Sequence, residues 1–399
     1  MRTSISSRLA AALLLAPLPA TAGAATFKTL YAFQGGSDGA GPANSLLNIS
    51  GTLWGTTSAG GGSANCTGGC GTVFKINPAT GVETVIYAFQ GGTDGADPFS
   101  SLINVGGTLY GVTYQGGARA YGTVFSVNPT TGAERIVYSF EGGNNDGAGP
   151  VGSLLNVGGT LWGTTQFGGS AGLGTVFALN PKTGYEIAAH EFQGGFDGAF
   201  PYTSLINVGG TLLTTTEYGG GPQNCDGFGC GTVYIVYPKN PGNDGAIPLF
   251  GSPNAAFPTG NVINVSGTLY GTSTNGGASG NGTVFSVALA NSAEKVVYSF
   301  QGGKDGTWPG PGVLKVGSLL YGVTFSGGGS ANCTEPAAGC GTLFSLNPTT
   351  GTEHVVHAFQ AGNDGAGPGA ALINVGGTLY GTTSGGGPSS NGTVFAYTP

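Results

Sequence analysis

The chain has 399 residues, 82 of them Gly and only 7% charged, with 11 Lys and Arg against 18 Asp and Glu. A net charge of −7 with so few bases excludes the cationic stripe that nucleic-acid binding needs, and electrostatic docking on anionic lipid with it. So much Gly without a G-X-Y period would suggest disorder in a scrambled chain. Here aromatic and β-branched residues recur at fixed places between the glycines, which therefore read as turn punctuation in an all-β protein.

In chain order, the first segment reads as a leader. Arg2 and Arg8 flank a polar start, residues 9–16 are apolar, and Ala20-Thr21-Ala22 and Ala22-Gly23-Ala24 are small-x-small cleavage candidates. Residues 1–24 are expected to be a secretory signal peptide and 25–399 a single mature domain. No later apolar run is long enough to span a bilayer, so the expectation is an exported (periplasmic or extracellular), soluble, monomeric protein. Without Arg2 and Arg8, nine basic residues face eighteen acidic ones.

Residues 26–33 (TFKTLYAF) match the last strand of the units that follow. From there the chain repeats itself seven times. G-T-L-Y-G-T-T or a close variant starts at Gly51, Gly107, Gly159, Gly210, Gly267, Ser318 and Gly377. Each copy is followed by G-T-V-F, starting at Gly71, Gly122, Gly174, Gly231, Gly282, Gly341 and Gly392. The period of 51–59 residues points to a propeller or solenoid. Within the second unit, 101–105, 108–113, 122–128 and 134–140 read as four sequential strands, joined by a Gly106-Gly107 hairpin turn, a loop and a P-T-T-G turn. Seven such units predict a seven-bladed β-propeller of four-stranded antiparallel blades. A parallel β-helix fits less well, because its coils are shorter and a straight array needs distinct caps. The chain ends on a third strand, so residues 26–33 are expected to close the ring as the outer strand of blade seven. The fourth unit is degenerate: its last strand shrinks to 247–250, with Pro248 inside it, and Asn254 replaces the Asp of other units.

Meander topology puts the second-to-third loops and the crossovers on one face, where length and identity vary. Four of these loops have eight residues (114–121, 166–173, 274–281, 384–391), while 58–70, 217–230 and 325–340 are longer. The long loops hold all six cysteines, as Cys66/Cys70, Cys225/Cys230 and Cys333/Cys340. Behind a leader, close pairs read as disulfides stapling each loop at its base, about 2 kcal/mol apiece in the chain-entropy model. Zinc is the rival, but each pair would lack two ligands. Every crossover but one carries an Asp before Gly or close to it: Asp38, Asp94, Asp146, Asp197, Asp305 and Asp364. These read as turn caps rather than calcium ligands, since one carboxylate per blade is a poor start for six to eight oxygens. His190 and His357 occupy the slot of Tyr87, Tyr138 and Tyr298 and read as packed substitutions.

Non-repeating residues on the variable face are the ligand-binding candidates, because framework packing does not dictate them. They are Tyr114, Gln115, Arg119, Tyr121, Gln166, Phe167, Glu217, Tyr218, Asn275, Trp308 and Phe325. Aromatic rings with amides and a lone Arg could stack on and hydrogen-bond a sugar. No nucleophile–base pair, paired carboxylates or clustered metal ligands are apparent, and Glu217 is the one acid in an unusual place.

The unit Y-x-F-x-G-G-x-D-G-A-x-P … L-x-N-V-G-G-T-L-Y-G-T-T … G-T-V-F-x-x-N-P-x-T-G resembles the GloVer tandem repeat of exported bacterial proteins, across residues 29–399. That resemblance implies a propeller-like repeat protein and brings no activity to particular residues. The blade also looks loosely like the quinoprotein-type repeat, without its tryptophan docking row. Many relatives carry a C-terminal anchoring segment, and no such pattern precedes Pro399. The residues favour a non-enzymatic, cofactor-free binding module of the cell envelope or surroundings, with carbohydrate or protein as ligand. The alternative is a polysaccharide-active hydrolase or lyase using Glu217 with Tyr218 or Tyr114. Quinone binding on the axis is disfavoured by the scarcity of Arg and Lys.

Overall fold

The computed structural model describes residues 25–42, 44–221, 225, 227–240, 242–251, 254–333 and 339–399. The expected signal peptide lies outside them. Among the described residues, seven antiparallel sheets of four or five strands follow one another along the chain as blades, with a two-stranded pair, Ala255–Ala256 and Asn275–Gly276, beside the fifth. In blade two the strands are Ile103–Val105, Thr108–Thr113, Thr123–Val127 and Glu134–Ser139. Their turns are set by side chains: Asn104 Oδ1 accepts the Gly107 amide at 2.9 Å, and Asn128 Oδ1 accepts the Thr130 amide at 2.9 Å. The ring closes as the repeat pattern requires. Thr26–Ala32 pairs antiparallel with Thr393–Thr398, so the first strand of the domain completes blade seven. In blade four the outer strand is Gly245–Pro248, two residues earlier than the sequence suggests. Pro248 sits at its last position, where the ladder ends. No helix among the described residues is long and apolar enough to cross a membrane.

The core lies between blades rather than within one. At six of the seven interfaces a Phe following the outer strand packs edge-on against the ring in the third strand of the next blade, while after blade four Leu249 takes that place beside Phe285. Phe33–Phe74, Phe89–Phe125, Phe140–Phe177, Phe192–Tyr234, Phe300–Phe344 and Phe359–Phe395 have centroids 4.9–5.3 Å apart. The crossover proline then lands on the Gly that opens the preceding G-T-V-F. A Cβ on Gly122 (φ +94°) would stand 2.5 Å from Pro150 Cδ, and the same approach recurs in all seven blades. Only Gly admits both this conformation and this contact. Gly122→Ala is expected to cost about 1–3 kcal/mol, read as a lower urea midpoint.

A polar seam runs beside that apolar ladder. Tyr87 Oη donates to Asp94 Oδ1 at 2.6 Å, while Asp94 Oδ2 accepts the Gln90 amide at 2.6 Å. Tyr31–Asp38, Tyr138–Asp146 and Tyr298–Asp305 repeat the pair. Where Tyr becomes His, His190 and His357 bond Asp197 and Asp364 at 3.2 and 3.0 Å. Burial pushes the Asp197 carboxyl up, but the bonds from His190 and the Gln193 amide outweigh it and hold it below the usual range. The next blade adds a glutamate to each Tyr–Asp pair: Glu83 beside Asp38, Glu134 beside Asp94, Glu186 beside Asp146 and Glu353 beside Asp305. Burial, then the neighbouring Asp charge, pushes Glu83, Glu186 and Glu353 up to about 8 and Glu134 up to about 7. One oxygen of each, Oε1, is buried with no hydrogen-bond partner. Each acid pair therefore holds a proton near neutral pH. At the interface with Asn254, Glu294 itself accepts the Phe250 and Ala255 amides at 3.1 and 3.0 Å.

The three disulfides Cys66–Cys70, Cys225–Cys230 and Cys333–Cys340 are formed, with Cα–Cα distances of 5.1–5.3 Å. Their place in the loops corrects the sequence reading. With sequence separations of 4, 5 and 7 they tie the C-terminal end of each long loop rather than bridging its base. The second cysteine of each pair is the anchored one. Cys70, Cys230 and Cys340 are almost wholly buried, and their carbonyls accept the amides of Asp97, Phe257 and Gly367 in the next crossover at 3.0, 2.9 and 2.9 Å. Cys340 therefore serves the joint between blades six and seven, packed in the apolar cluster of Leu343, Phe359 and Phe395. Cys66–Cys70 and Cys225–Cys230 also pack against Gly91 and Gly251 of the following crossover.

Candidate functional site

Each crossover passes through one residue before its proline, and that residue has left-handed backbone in all seven blades. It is Gly41, Asp97, Gly149, Phe200, Phe257, Trp308 and Gly367 in turn, with φ between +54° and +65°. The reason is an inter-blade latch: its amide must reach a carbonyl of the preceding blade. Phe200 N bonds Leu173 O at 2.8 Å and Trp308 N bonds Asn281 O at 3.1 Å, with equivalents in the other five blades. Three blades use Gly at no steric cost. Three consecutive blades instead hold a bulky ring there, a conformation that costs about 1–3 kcal/mol per residue.

Past the proline the chain turns to the propeller axis, where a cavity of about 520 Å³ takes lining from every blade. Its aromatic walls are Phe99, Tyr202, Trp308 and Phe325. Its polar part is a ring of short side chains at one register position, Ser45, Ser101, Ser153, Ser204 and Asn261, with Asn44 and Asn275 beside them. The ring is fixed by bonds between blades: Ser153 N to Ser204 Oγ at 2.7 Å, and Ser204 N to Asn261 Oδ1 at 2.8 Å. None of the lining residues carries a formal charge.

Two acids stand behind this wall. Asp97 and Glu217 are both pushed up by burial, with a Tyr218 hydrogen bond opposing the rise at Glu217. The Tyr202 hydroxyl is raised by its own burial, then by Tyr114 and by the charges of Glu217 and Asp97. No group of three His, Cys, Asp or Glu able to hold a metal occurs among the described residues.

Asn275, Trp308 and Phe325 line the axial cavity. Tyr114 lies one ring away, 6.3 Å from Phe99, and its hydroxyl donates to Gln166 Oε1 at 3.0 Å. Phe167 and Tyr218 belong to a second aromatic row. Phe167 meets Phe200 at 5.7 Å, Phe200 meets Tyr218 at 5.8 Å, and Tyr218 meets Phe257 at 5.3 Å. This row borders a groove of about 770 Å³ between blades three and four, walled by Phe196, Phe200, Tyr218 and Phe228. The remaining candidates join neither cavity. Gln115 is exposed and tied by its backbone to Ala96, Arg119 is exposed, and the Tyr121 ring lies over Gly142. The disulfide cysteines, from Cys66 and Cys70 to Cys333 and Cys340, line neither cavity. Sequence reasoning missed Phe99, Tyr202, the serine ring, Phe200 and Phe257. The available signal was the variable residue on either side of an otherwise fixed crossover proline.

Comparison with solved structures finds propellers. An oligogalacturonate lyase from Vibrio parahaemolyticus aligns with a TM-score of 0.53 at 10% identity, over 94% of this chain and 97% of that one. A puromycin-hydrolyzing peptidase from Mycobacterium tuberculosis gives 0.54 at 13% identity, over 88% and 50%. A putative 6-phosphogluconolactonase from Bacteroides uniformis gives 0.51 at 16%, over 83% and 89%. Identities this low show the fold alone. No curated protein sequence matches the chain. The Gloeobacter/Verrucomicrobia repeat model matches residues 19–228, 143–335 and 223–399. With three overlapping matches spanning the whole ring, the chain belongs to the Gloeobacter/Verrucomicrobia repeat family.

Proposed function

We propose that the protein is an exported, non-enzymatic binding propeller whose axial cavity takes a neutral carbohydrate. The carrying observation is the lining: four aromatic rings face a collar of serine hydroxyls and asparagine amides, with no charged side chain among them. Apolar sugar faces suit such rings, and hydroxyl rims suit such donors and acceptors. The leader-like start and three disulfides support export.

The test is a screen of residues 25–399 against a glycan array, followed by titration of Trp308→Gly. Glycine is the residue three other blades use at this position, so the variant keeps the amide latch and is expected to melt no lower than the parent. Loss of one central ring is expected to weaken binding at least ~10-fold. Binding unchanged by Trp308→Gly places the ligand elsewhere.

One observation favours a second reading, an acid-assisted cleavage of polysaccharide. The Glu217 carboxyl is raised by burial and hydrogen-bonded to Tyr218, as a general acid would be. Turnover abolished by Glu217→Gln with binding retained would select this reading over simple binding.

A further inference from the structure

The pre-proline slot needs an amide and a left-handed backbone, and Gly41, Gly149 and Gly367 meet both needs without a side chain. Phe200, Phe257 and Trp308 therefore hold strained backbone for something other than the latch, in three successive blades. Their rings stand at two places. Trp308 is in the axial cavity, while Phe257 and Phe200 flank Tyr218 at 5.3 and 5.8 Å on the way to the groove between blades three and four. Tyr202, across Pro201 from Phe200, lines the axial cavity from the same side.

The outer end of this row is exposed where aromatic residues are normally covered. Phe196 and Phe228 are 70% and 72% exposed, and Phe167 is 40% exposed. Two of these rings, Phe196 and Phe228, wall one groove, and exposed apolar patches of this kind mark interaction sites. Phe228 is also held in place: its amide bonds Cys225 O at 3.1 Å, its carbonyl accepts the Gly219 amide at 3.0 Å, and the Cys225–Cys230 bridge closes the turn beneath it. Among the described residues, the polar lining of the groove is the Gln193 amide and glycine backbone.

We infer that the ligand is the interior of a linear neutral polysaccharide, which occupies the axial cavity and leaves it across Phe257, Tyr218 and Phe200 to end on Phe228 and Phe196. This rests on the carbohydrate reading of the axial cavity. An uncharged polymer of stacked rings and hydroxyls matches a hydroxyl-lined cavity and a row of aromatics that begins at its rim, where Phe257 O accepts from the cavity-lining Thr274 hydroxyl at 3.2 Å. A peptide would instead need a row of backbone partners, and an anionic polymer would need bases.

The test measures affinity of the mature chain for dextran, xylan, mannan and starch, and for their oligomers from disaccharide upward, by calorimetry. For the polysaccharide that binds, affinity is expected to rise with chain length. Phe228→Ser and Phe196→Ser, both at exposed positions that leave the core intact, are expected to cut polymer affinity roughly three- to tenfold each. Neither should change disaccharide affinity, whereas Trp308→Gly should weaken every length. Affinity independent of length, or serine variants that weaken all lengths equally or none, would overturn the extended track while leaving the axial site intact. Binding to no glycan at any length would overturn the axial reading itself.

Discussion

Removing residues 26–33 is expected to open the ring and lower the melting temperature by on the order of 10 °C. Among the described residues, the strand Thr26–Ala32 is the fourth strand of blade seven, pairing along Thr393–Thr398. Phe33 is fully buried against Phe74 of blade one, and Phe27 stacks on His357 at 3.6 Å and packs on Phe395. Two phenyl rings returned to water cost about 1.5–3 kcal/mol each. That is a large share of a typical stability of about 5–15 kcal/mol, and the deletion also bares an unpaired edge that invites aggregation. Scattering and thermal unfolding check it: a compact particle with unchanged melting temperature would mean that the pairing does not close the ring. A peptide of residues 25–33 added in trans should restore part of the loss.

Stability is expected to be greater near about pH 5 than near about pH 9, opposite to a fold held by salt bridges. The groups responsible are four glutamates at blade interfaces. Glu83 faces Asp38 and Tyr31, and Glu134 faces Asp94 and Tyr87, with Arg135 nearby. Glu186 faces Asp146 and Tyr138, and Glu353 faces Asp305 and Tyr298. Their carboxyls sit at about 7 to 8 in the folded ring against an ordinary value of 4.5. Between those limits the native state binds more protons than the unfolded chain, so stability falls as pH rises. The contribution is complete below about 4.5 and gone above about 8. The Asp197 carboxyl, held low, acts in the opposite sense on acidification, but it stands against the four glutamates and against Asp97, Asp146, Glu217 and Glu294, which burial also raises. Urea midpoints across this range give the slope. Replacing all four glutamates by glutamine keeps a neutral donor at each seam, and the decline should flatten. A parent whose midpoint rises toward alkaline pH would refute the shared-proton seams.

The architecture was legible because each blade spells out its strands with the same punctuation. Ring closure was legible too, since residues 26–33 carry the T-L-Y-A-F pattern that the last unit lacks. Loop lengths pointed to the variable face, and that brought in Trp308, Asn275 and Phe325. The axis was not legible. Phe99, Tyr202 and the serine ring fall where sequence shows only a linker running into a short apolar strand. Whether such a residue points at the axis or a neighbouring blade depends on a left-handed turn before the proline. At Gly that turn is unremarkable in sequence, and at Phe200 or Trp308 propensity argues against it. Arg119 and Tyr121 show the converse: a residue on an exposed loop tip varies from blade to blade whether or not a cavity lies beside it. The cysteine pairs were legible as bridges, but not the inter-blade latch carbonyls that Cys70, Cys230 and Cys340 supply, because a backbone oxygen leaves no mark on residue type. The carboxyl seams were hidden because Asp and Glu of each pair lie in different blades.

The exchange at Asn254 bears on how this ring could have been assembled from copies. Glu294 turns its carboxylate back to accept the Phe250 and Ala255 amides, replacing what an aspartate supplies from within the crossover elsewhere. Blades four and five are thus a matched couple. Transplanting blade four alone would carry a crossover without its acid, and duplicating blade five behind an ordinary crossover would bring a second carboxyl to a place already filled. Repeats that look interchangeable on paper are keyed to their neighbours, so the order of blades is itself information the chain must preserve.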